Sequence, residues 1–308
     1  MFDYRYHALS LAAVLLALAV GVVIGVAIGD SNLVSSAKSG IVHDLSSEVS
    51  AAQHQSGQLR AKLGNAEALA DDLYPIAVHD LLAGRRIGLV FLGSASDRTD
   101  GLVRGAVTQA GGDLATVVAV REPLDLPGLA REAAGTRYAA LGADTSKASL
   151  QLVERFGDLM GRQFSSGGQA VERELLSRAR GSLLSAFDGQ LGKLDGVVVV
   201  HSQPPDMEPA EVQSASAFES GLIGGLKSVG IPTVGVELTI TEPSQVPWYQ
   251  GQGIASVDDL DETAGEAALI YALAGSRGAY GVKGTADALL PTWRAPRRPP
   301  SGHIRARR

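Results

Sequence analysis

Residues 85–93 read Arg85-Arg86-Ile87-Gly88-Leu89-Val90-Phe91-Leu92-Gly93. An apolar run without alternation, held between two arginines and a polar loop, describes a strand covered on both faces, because a strand with one wet face alternates. Gly196-Val197-Val198-Val199-Val200 repeats the pattern, and Leu114–Val120, Ile231–Leu238 and Ile254–Val257 are further short apolar runs. Between them lie stretches of helical period: Gly101–Ala110 stopped by Gly111-Gly112, a short one at Leu129–Ala134, Glu208–Val229 and Glu262–Ala274. Ser149–Gln190 shows only helical period, broken at Ser165-Ser166-Gly167-Gly168, and reads as a helical insertion. Strands alternating with helices predict an α/β domain over 84–290. It is a mostly parallel sheet with helices on both faces, flavodoxin-like or Rossmann-like.

Upstream, Ala8 to Gly29 reads ALSLAAVLLALAVGVVIGVAIG, twenty-two residues without a charge. As a helix it spans roughly 33 Å, the thickness of a hydrocarbon core, and its backbone satisfies its own hydrogen bonds there. Ala8, Leu11, Leu15, Leu18, Val22 and Ile28 are its lipid-facing candidates, with Tyr4, Tyr6 and His7 placed for the interface. A cleaved signal peptide has a shorter apolar core and a more basic start than Arg5 opposed by Asp3. Residues 1–29 are therefore expected to be a retained anchor in a lipid bilayer. Arg5, His7 and the terminal amine nearly balance Lys38 across the span, so charge barely sets the orientation. A short N-terminal tail most simply stays inside, which sends the remainder out of the cytoplasm.

Behind the anchor, Val42, Leu45, Val49, Ala52, Ser56, Leu59, Leu63, Ala66, Ala70 and Leu73 keep an unbroken 3-4 spacing. That is the a/d seam of a coiled coil, predicting a stalk over 30–74 that Pro75 closes and that pairs the chain with a second copy. The seam is weakened by Ser56, three alanines, Gly57 and Gly64, so one amphipathic helix lying against its own domain is the alternative.

Composition limits the chemistry. The 308 residues contain no cysteine and three methionines, which removes disulfides, thiolate metal sites and a Cys nucleophile. Six arginines and no acid fall in Arg294–Arg308, inside a Pro/Arg-rich tail over 291–308 expected to be disordered. The chain as a whole has net charge −6, and nothing marks it as a nucleic-acid binder. No Walker A loop, dinucleotide fingerprint or nucleophile elbow is present, and no enzyme is expected.

In an open α/β sheet the ligand crevice lies beyond the carboxyl ends of the strands. Asp97 follows the first strand; His201, Asp206 and Met207 follow the valine run; Glu237 ends the next strand, with Asp258, Asp259 and Asp261 near the last. These are the candidate ligand or metal residues, His201 first among them. Ordinary loop chemistry and helix capping explain the same polar residues, the acidic run before the last helix above all.

Ile254-Ala255-Ser256-Val257-Asp258-Asp259-Leu260-Asp261, Ala268-Leu269-Ile270-Tyr271-Ala272-Leu273 and Gly278-Ala279-Tyr280-Gly281 resemble the C-terminal signature of the actinobacterial MctB copper transport family. The anchor from His7 to Gly25 is similar to that family's opening segment. The resemblance implies a membrane-anchored part in copper export or homeostasis in the cell envelope, with outer-membrane association, a transiently bound copper ion and other envelope proteins as partners. No resident cofactor is expected. A non-catalytic envelope scaffold or ligand-binding module, dimerising through the stalk, is the alternative.

Overall fold

The computed structural model describes residues 4–28, 31–166, 170–190 and 192–292. The chain divides into two compact units, Met1–Ala68 and Leu69–Arg308.

In the first unit, helix α1 (Tyr4–Ile28) contains the segment Tyr6–Ala27, with a mean hydropathy of 2.8 and no part of it buried. It is long and apolar enough to cross a membrane. Helix α2 (Ser31–Val78) runs 48 residues and leaves Leu45, Val49, Leu59 and Leu63 exposed on a single chain.

Pro75 does not close α2, which continues to Val78. A proline inside a helix removes one backbone bond and crowds the preceding turn, and here the last turns of α2, from Leu69 on part of the second unit, are held by that unit's own core. Val78 and Leu82 are buried in that unit's core, and the Tyr271 hydroxyl donates to the Ala77 carbonyl at 3.1 Å.

The second unit is the expected α/β sandwich. In chain order it contains β1 (Arg86–Gly93), α3 (Asp97–Gln109), β2 (Asp113–Val120), α4 (Leu126–Glu132), α5 (Lys147–Ser166), α6 (Ala170–Leu183) and β3 (Leu184–Gly189). β4 (Gly196–Ser202), α7 (Pro209–Ser228), β5 (Thr233–Val236), α8 (Val246–Gly251), β6 (Ala255–Val257), α9 (Thr263–Leu273) and β7 (Ala279–Tyr280) follow. Among the described residues the strands form one sheet in the order β3-β2-β1-β4-β5-β6-β7. All neighbours are parallel except β2 and β3.

Period two sorts each central strand between the faces. Val90, Leu92, Val118, Val120, Val197 and Val199 meet Phe156, Met160, Phe218 and Leu222 from α5 and α7. Ile87, Leu89, Phe91 and Val198 meet Val103, Val107, Leu269 and Leu273 from α3 and α9 on the other face.

The tightest helix contact is built from glycine. A Cβ at Gly157 or Gly161 of α5 would fall 2.2 Å from the Phe218 or Leu222 carbonyl oxygen of α7. One at Gly221 or Gly225 of α7 would fall 1.9 or 2.2 Å from the Glu154 or Asp158 carbonyl. The two backbones touch, as two facing glycine pairs four residues apart allow.

A further expectation needs correction. The helical reading of Ser149–Gln190 fails at its end, where Leu184–Gly189 is strand β3, antiparallel to β2 with Ala119 opposite Ala186. As an edge strand it is buried only at Leu184, so its sequence carries no two-sided apolar signal, and pairing with β2 decides its conformation. α8 and β7 were not expected either; both are too short for a periodic pattern. The Pro/Arg-rich tail from residue 293 on lies outside the described residues, as do Gly167 and Gly168 of the expected break.

Candidate functional site

The strand order reverses between β1 and β4, because the chain builds outward from β1 on one side and then from β4 on the other. The crevice at such a reversal is the standard ligand position in an open α/β sheet. Here the carboxyl ends of the two strands are pressed together. A Cβ on Gly93, whose φ is +106°, would lie 2.0 Å from the Ser202 carbonyl oxygen, so only glycine fits.

His201 extends the face that carries Val197 and Val199, four and two residues back, at the carboxyl end of β4. Its Nδ1 lies 2.7 Å from Gln245 Oε1. Gln245 donates from Nε2 to the Pro243 carbonyl at 2.8 Å, which orients the amide so that its oxygen faces the imidazole. Nδ1 therefore carries a proton. The His201 ring stacks on Trp248, with centroids 4.1 Å apart and planes at 15°. Its backbone N–H donates to the buried Tyr249 hydroxyl, which donates in turn to the Val236 carbonyl, both at 2.9 Å.

The other ring nitrogen, Nε2, lies 3.2 Å from Oε1 of Glu219, a fully buried side chain in the middle of α7. The two atoms are close enough to pair, yet neither has an aligned hydrogen-bond partner. Glu219 Oε2 accepts from Gln203 Nε2 at 3.0 Å. Across from Glu219 is Glu122, in the loop after β2, with both carboxyl oxygens buried and unpartnered. Burial, then the neighbouring charge of Glu219, drives the Glu122 pKa well above the usual carboxylate range. Burial works against charge on His201, and the Glu219 carboxylate more than offsets it, so the imidazole pKa is raised. An ion pair with a neutral acid beside it is the arrangement these shifts favour.

Glu237 has a different task. Its buried carboxylate lies 2.7 Å from Lys283 Nζ and accepts from Ser244 Oγ at 2.8 Å and from the Gln245 backbone N–H. Lys283 also donates to the Leu238 and Thr241 carbonyls at 3.2 and 2.6 Å. The clamp fastens the end of β5 to the loops around it and so holds Gln245 beside His201.

The remaining candidates do not join this group. Asp97 is exposed in the first turn of α3, capped by Ser96, where the helix dipole favours an acid. Asp206 is exposed in the turn before α7, and Met207 is half-buried next to it. Among the described residues no hydrogen bond or ion pair joins either to His201. Asp258 accepts from the Val282 and Lys283 backbone amides at 2.8 and 3.3 Å, and Asp261 accepts from Thr239 and pairs with Arg98 at 2.9 Å. These acids fasten loops.

Asp259 is buried with both carboxyl oxygens unpartnered, and desolvation, with Asp258 beside it, pushes its pKa up to about 6. Between 3.8 and about 6 the folded chain holds the proton more tightly than the unfolded one. Stability therefore falls as pH rises through that window. Asp259→Asn is expected to flatten the pH dependence of the melting temperature between pH 4 and 6. At pH 7 it should stabilise by roughly 2 kcal/mol. Thermal unfolding of wild type and variant across pH 4–8 measures both.

Glu219, Glu122, Gln245 and Trp248 were missed from the sequence. Glu219 did leave a trace. The buried stripe of α7 runs Ala215, Phe218, Leu222 and Leu226, and Glu219 is the one carboxylate within it. Glu122 and Gln245 carried no signal, being single polar residues in loops.

Among the described residues, no three or more of His, Asp and Glu stand at separations ready to hold a metal ion. The family model described as "Copper transport outer membrane protein, MctB" matches residues 1–291. Proteins named "Copper transporter MctB" from Mycobacterium bovis and Mycobacterium tuberculosis are each 26% identical over 291 residues, covering 89% of this chain and 92% of the relative. The match runs from the apolar helix through the whole α/β unit to the start of the tail, and this chain belongs to the MctB family.

Proposed function

We propose that this chain serves copper transport in the cell envelope, anchored by α1 as a single-pass membrane protein with the α/β unit outside the cytoplasm. The observation that carries the reading is the end-to-end family match, which takes in both the apolar helix and the α/β domain. The relatives it covers almost completely are named copper transporters. A single helix cannot enclose a pore, and α1 differs in kind from the ten-residue alternating strands of a membrane barrel. Transport then requires other copies or other envelope proteins, with this chain handling or presenting the ion rather than conducting it alone. The role needs no catalysis.

The heptad positions of α2 support pairing with a second copy. Leu45, Val49, Leu59, Leu63 and Leu73 recur at 3-4 spacing and are each about half exposed or more on one chain. A scaffold role, with the stalk dimerising and the α/β unit holding a partner, rests on the same exposed seam and is the second reading.

A strain lacking the protein is expected to grow less well than its parent on a copper series and to differ in cell-associated copper. The full chain should restore both, and residues 30–308 should be found in the wash and restore neither. Parental growth and copper content in the deletion strain would remove the transport reading. Recovery of dimers by cross-linking, without any copper phenotype, would leave the scaffold.

A further inference from the structure

The most unusual feature of the α/β unit is a buried imidazole–carboxylate pair with a second buried acid beside it. Both carboxyl oxygens of Glu122 are shut from solvent without an aligned hydrogen bond, as are His201 Nε2 and Glu219 Oε1, which face each other at 3.2 Å. Buried polar groups without aligned partners are rare, and a bound ion is one established reason for them. His201 ends β4 at the crevice where the strand order reverses, and Glu219 and Glu122 come from α7 and from the loop after β2.

The geometry fits an ion in one respect that can be measured. Two ligands of one transition ion, each ~2.1 Å from it, are about 3.2 Å apart when they subtend roughly 100°. His201 Nε2 and Glu219 Oε1 are 3.2 Å apart. Both are held from behind, His201 by Gln245 on its other nitrogen and by the Trp248 stack, Glu219 by Gln203 on its other oxygen. This is the supporting shell that orients metal ligands, including the hydrogen bond that fixes the free imidazole nitrogen. The third donor is not yet in place, since no three acids or imidazoles stand ready. Glu122 is the group that can complete the set. It lies on the loop after β2, is half-buried, and interacts with Glu219.

We propose that His201, Glu219 and Glu122 form a divalent transition-metal site that closes by rotation of the Glu122 side chain. The donors are one imidazole nitrogen and carboxylate oxygens, a set that suits Cu(II), Zn(II) or Ni(II) and not Cu(I), which takes sulfur. Cu(II) binds most tightly to such donors among these ions. The site deepens the proposed function by naming where the ion would sit, and it rests on that reading only for copper as the first probe.

The test uses the full chain in detergent, metal-free, with Trp293→Phe so that Trp248 is the remaining indole. Titration with Cu(II), then Zn(II) and Ni(II), with Mg(II) as control, is read by calorimetry and by quenching of Trp248, whose ring stacks on His201. The expected result is one Cu(II) per chain, a quenched Trp248, and a Cu(II) electron paramagnetic resonance signal split by one nitrogen. Glu122→Gln, on the half-buried rim, should keep the circular dichroism spectrum and weaken Cu(II) binding by roughly tenfold or more. His201→Gln should remove the nitrogen splitting and the quenching. Equal Cu(II) binding by wild type and Glu122→Gln would overturn the site, as would binding that leaves Trp248 unquenched and so belongs to His7, His43, His54, His79 or His303. Either result leaves the copper phenotype of the deletion strain standing, so failure of the site and failure of the transport reading are separable.

Discussion

Gly221→Ala should lower the melting temperature of the α/β unit by roughly 4–8 °C, while Gly224→Ala, three residues along the same helix, should raise it slightly. A Cβ at Gly221 would stand 1.9 Å from the Glu154 carbonyl oxygen and 3.0 Å from the Asp158 nitrogen. Those are backbone atoms, which no rotamer change can clear. α5 and α7 would have to separate, opening the layer in which Phe156, Phe218 and Leu222 pack. Overpacking of this kind costs about 3 kcal/mol, and the better helix propensity of alanine returns only ~1. For a unit of this size each kcal/mol moves Tm by about 2–4 °C. At Gly224 a Cβ meets nothing within 4 Å and the residue is exposed, so the propensity gain stands alone. Near-ultraviolet circular dichroism melts of the two variants give opposite signs if the helices are in backbone contact. Equal signs would mean they are not.

The second large effect is expected at Lys283. Lys283→Met leaves the Glu237 carboxylate, 2% exposed, without its cation and strips the Leu238 and Thr241 carbonyls of a donor. Removing one partner of a buried pair costs about 3–5 kcal/mol, because the other charge stays behind in a medium that solvates it poorly. Glu237→Gln should cost less, about 1–2 kcal/mol. The amide oxygen still accepts from Ser244 or Gln245, and Lys283 keeps two carbonyls. Adding Glu237→Gln to Lys283→Met should therefore recover part of the loss. Chemical denaturation of the two single variants and the double variant closes the cycle. A double variant that is simply the sum of the singles would show that the two side chains do not act as a pair. Because the same carboxylate receives the Gln245 backbone N–H, Lys283→Met should also loosen the seat of His201.

How much of this was legible depended on whether a residue's role was local. Val197 and Val199 announced a buried strand because every neighbour was apolar too, and the parallel sheet followed from strands alternating with helices. His201 stood out as the imidazole at the end of that run. Its partners did not, since Glu219 comes from a helix and Glu122 and Gln245 from loops on two different strands, and only the strand order brings them together. β3 was hidden for a related reason: four of its six residues face water, and its conformation is set by β2. Pro75 misled in the opposite direction. Its local preference is to end a helix, and contacts from Val78 and Tyr271 overrule it.

Two helices that meet backbone to backbone cannot slip past one another. Shear, the small sliding by which packed helices usually accommodate a change of shape, needs side chains that can trade places at the boundary, and the glycine faces of α5 and α7 offer none. Glu219 is carried on one of those helices two residues, about half a turn, from the closest contact of all, so its position is set by main-chain atoms. Any breathing of the crevice must therefore come from above, in the loops that carry Glu122, Gln203 and Gln245. The rate at which a guest enters or leaves should respond to changes in those loops and stay indifferent to the helix layer beneath.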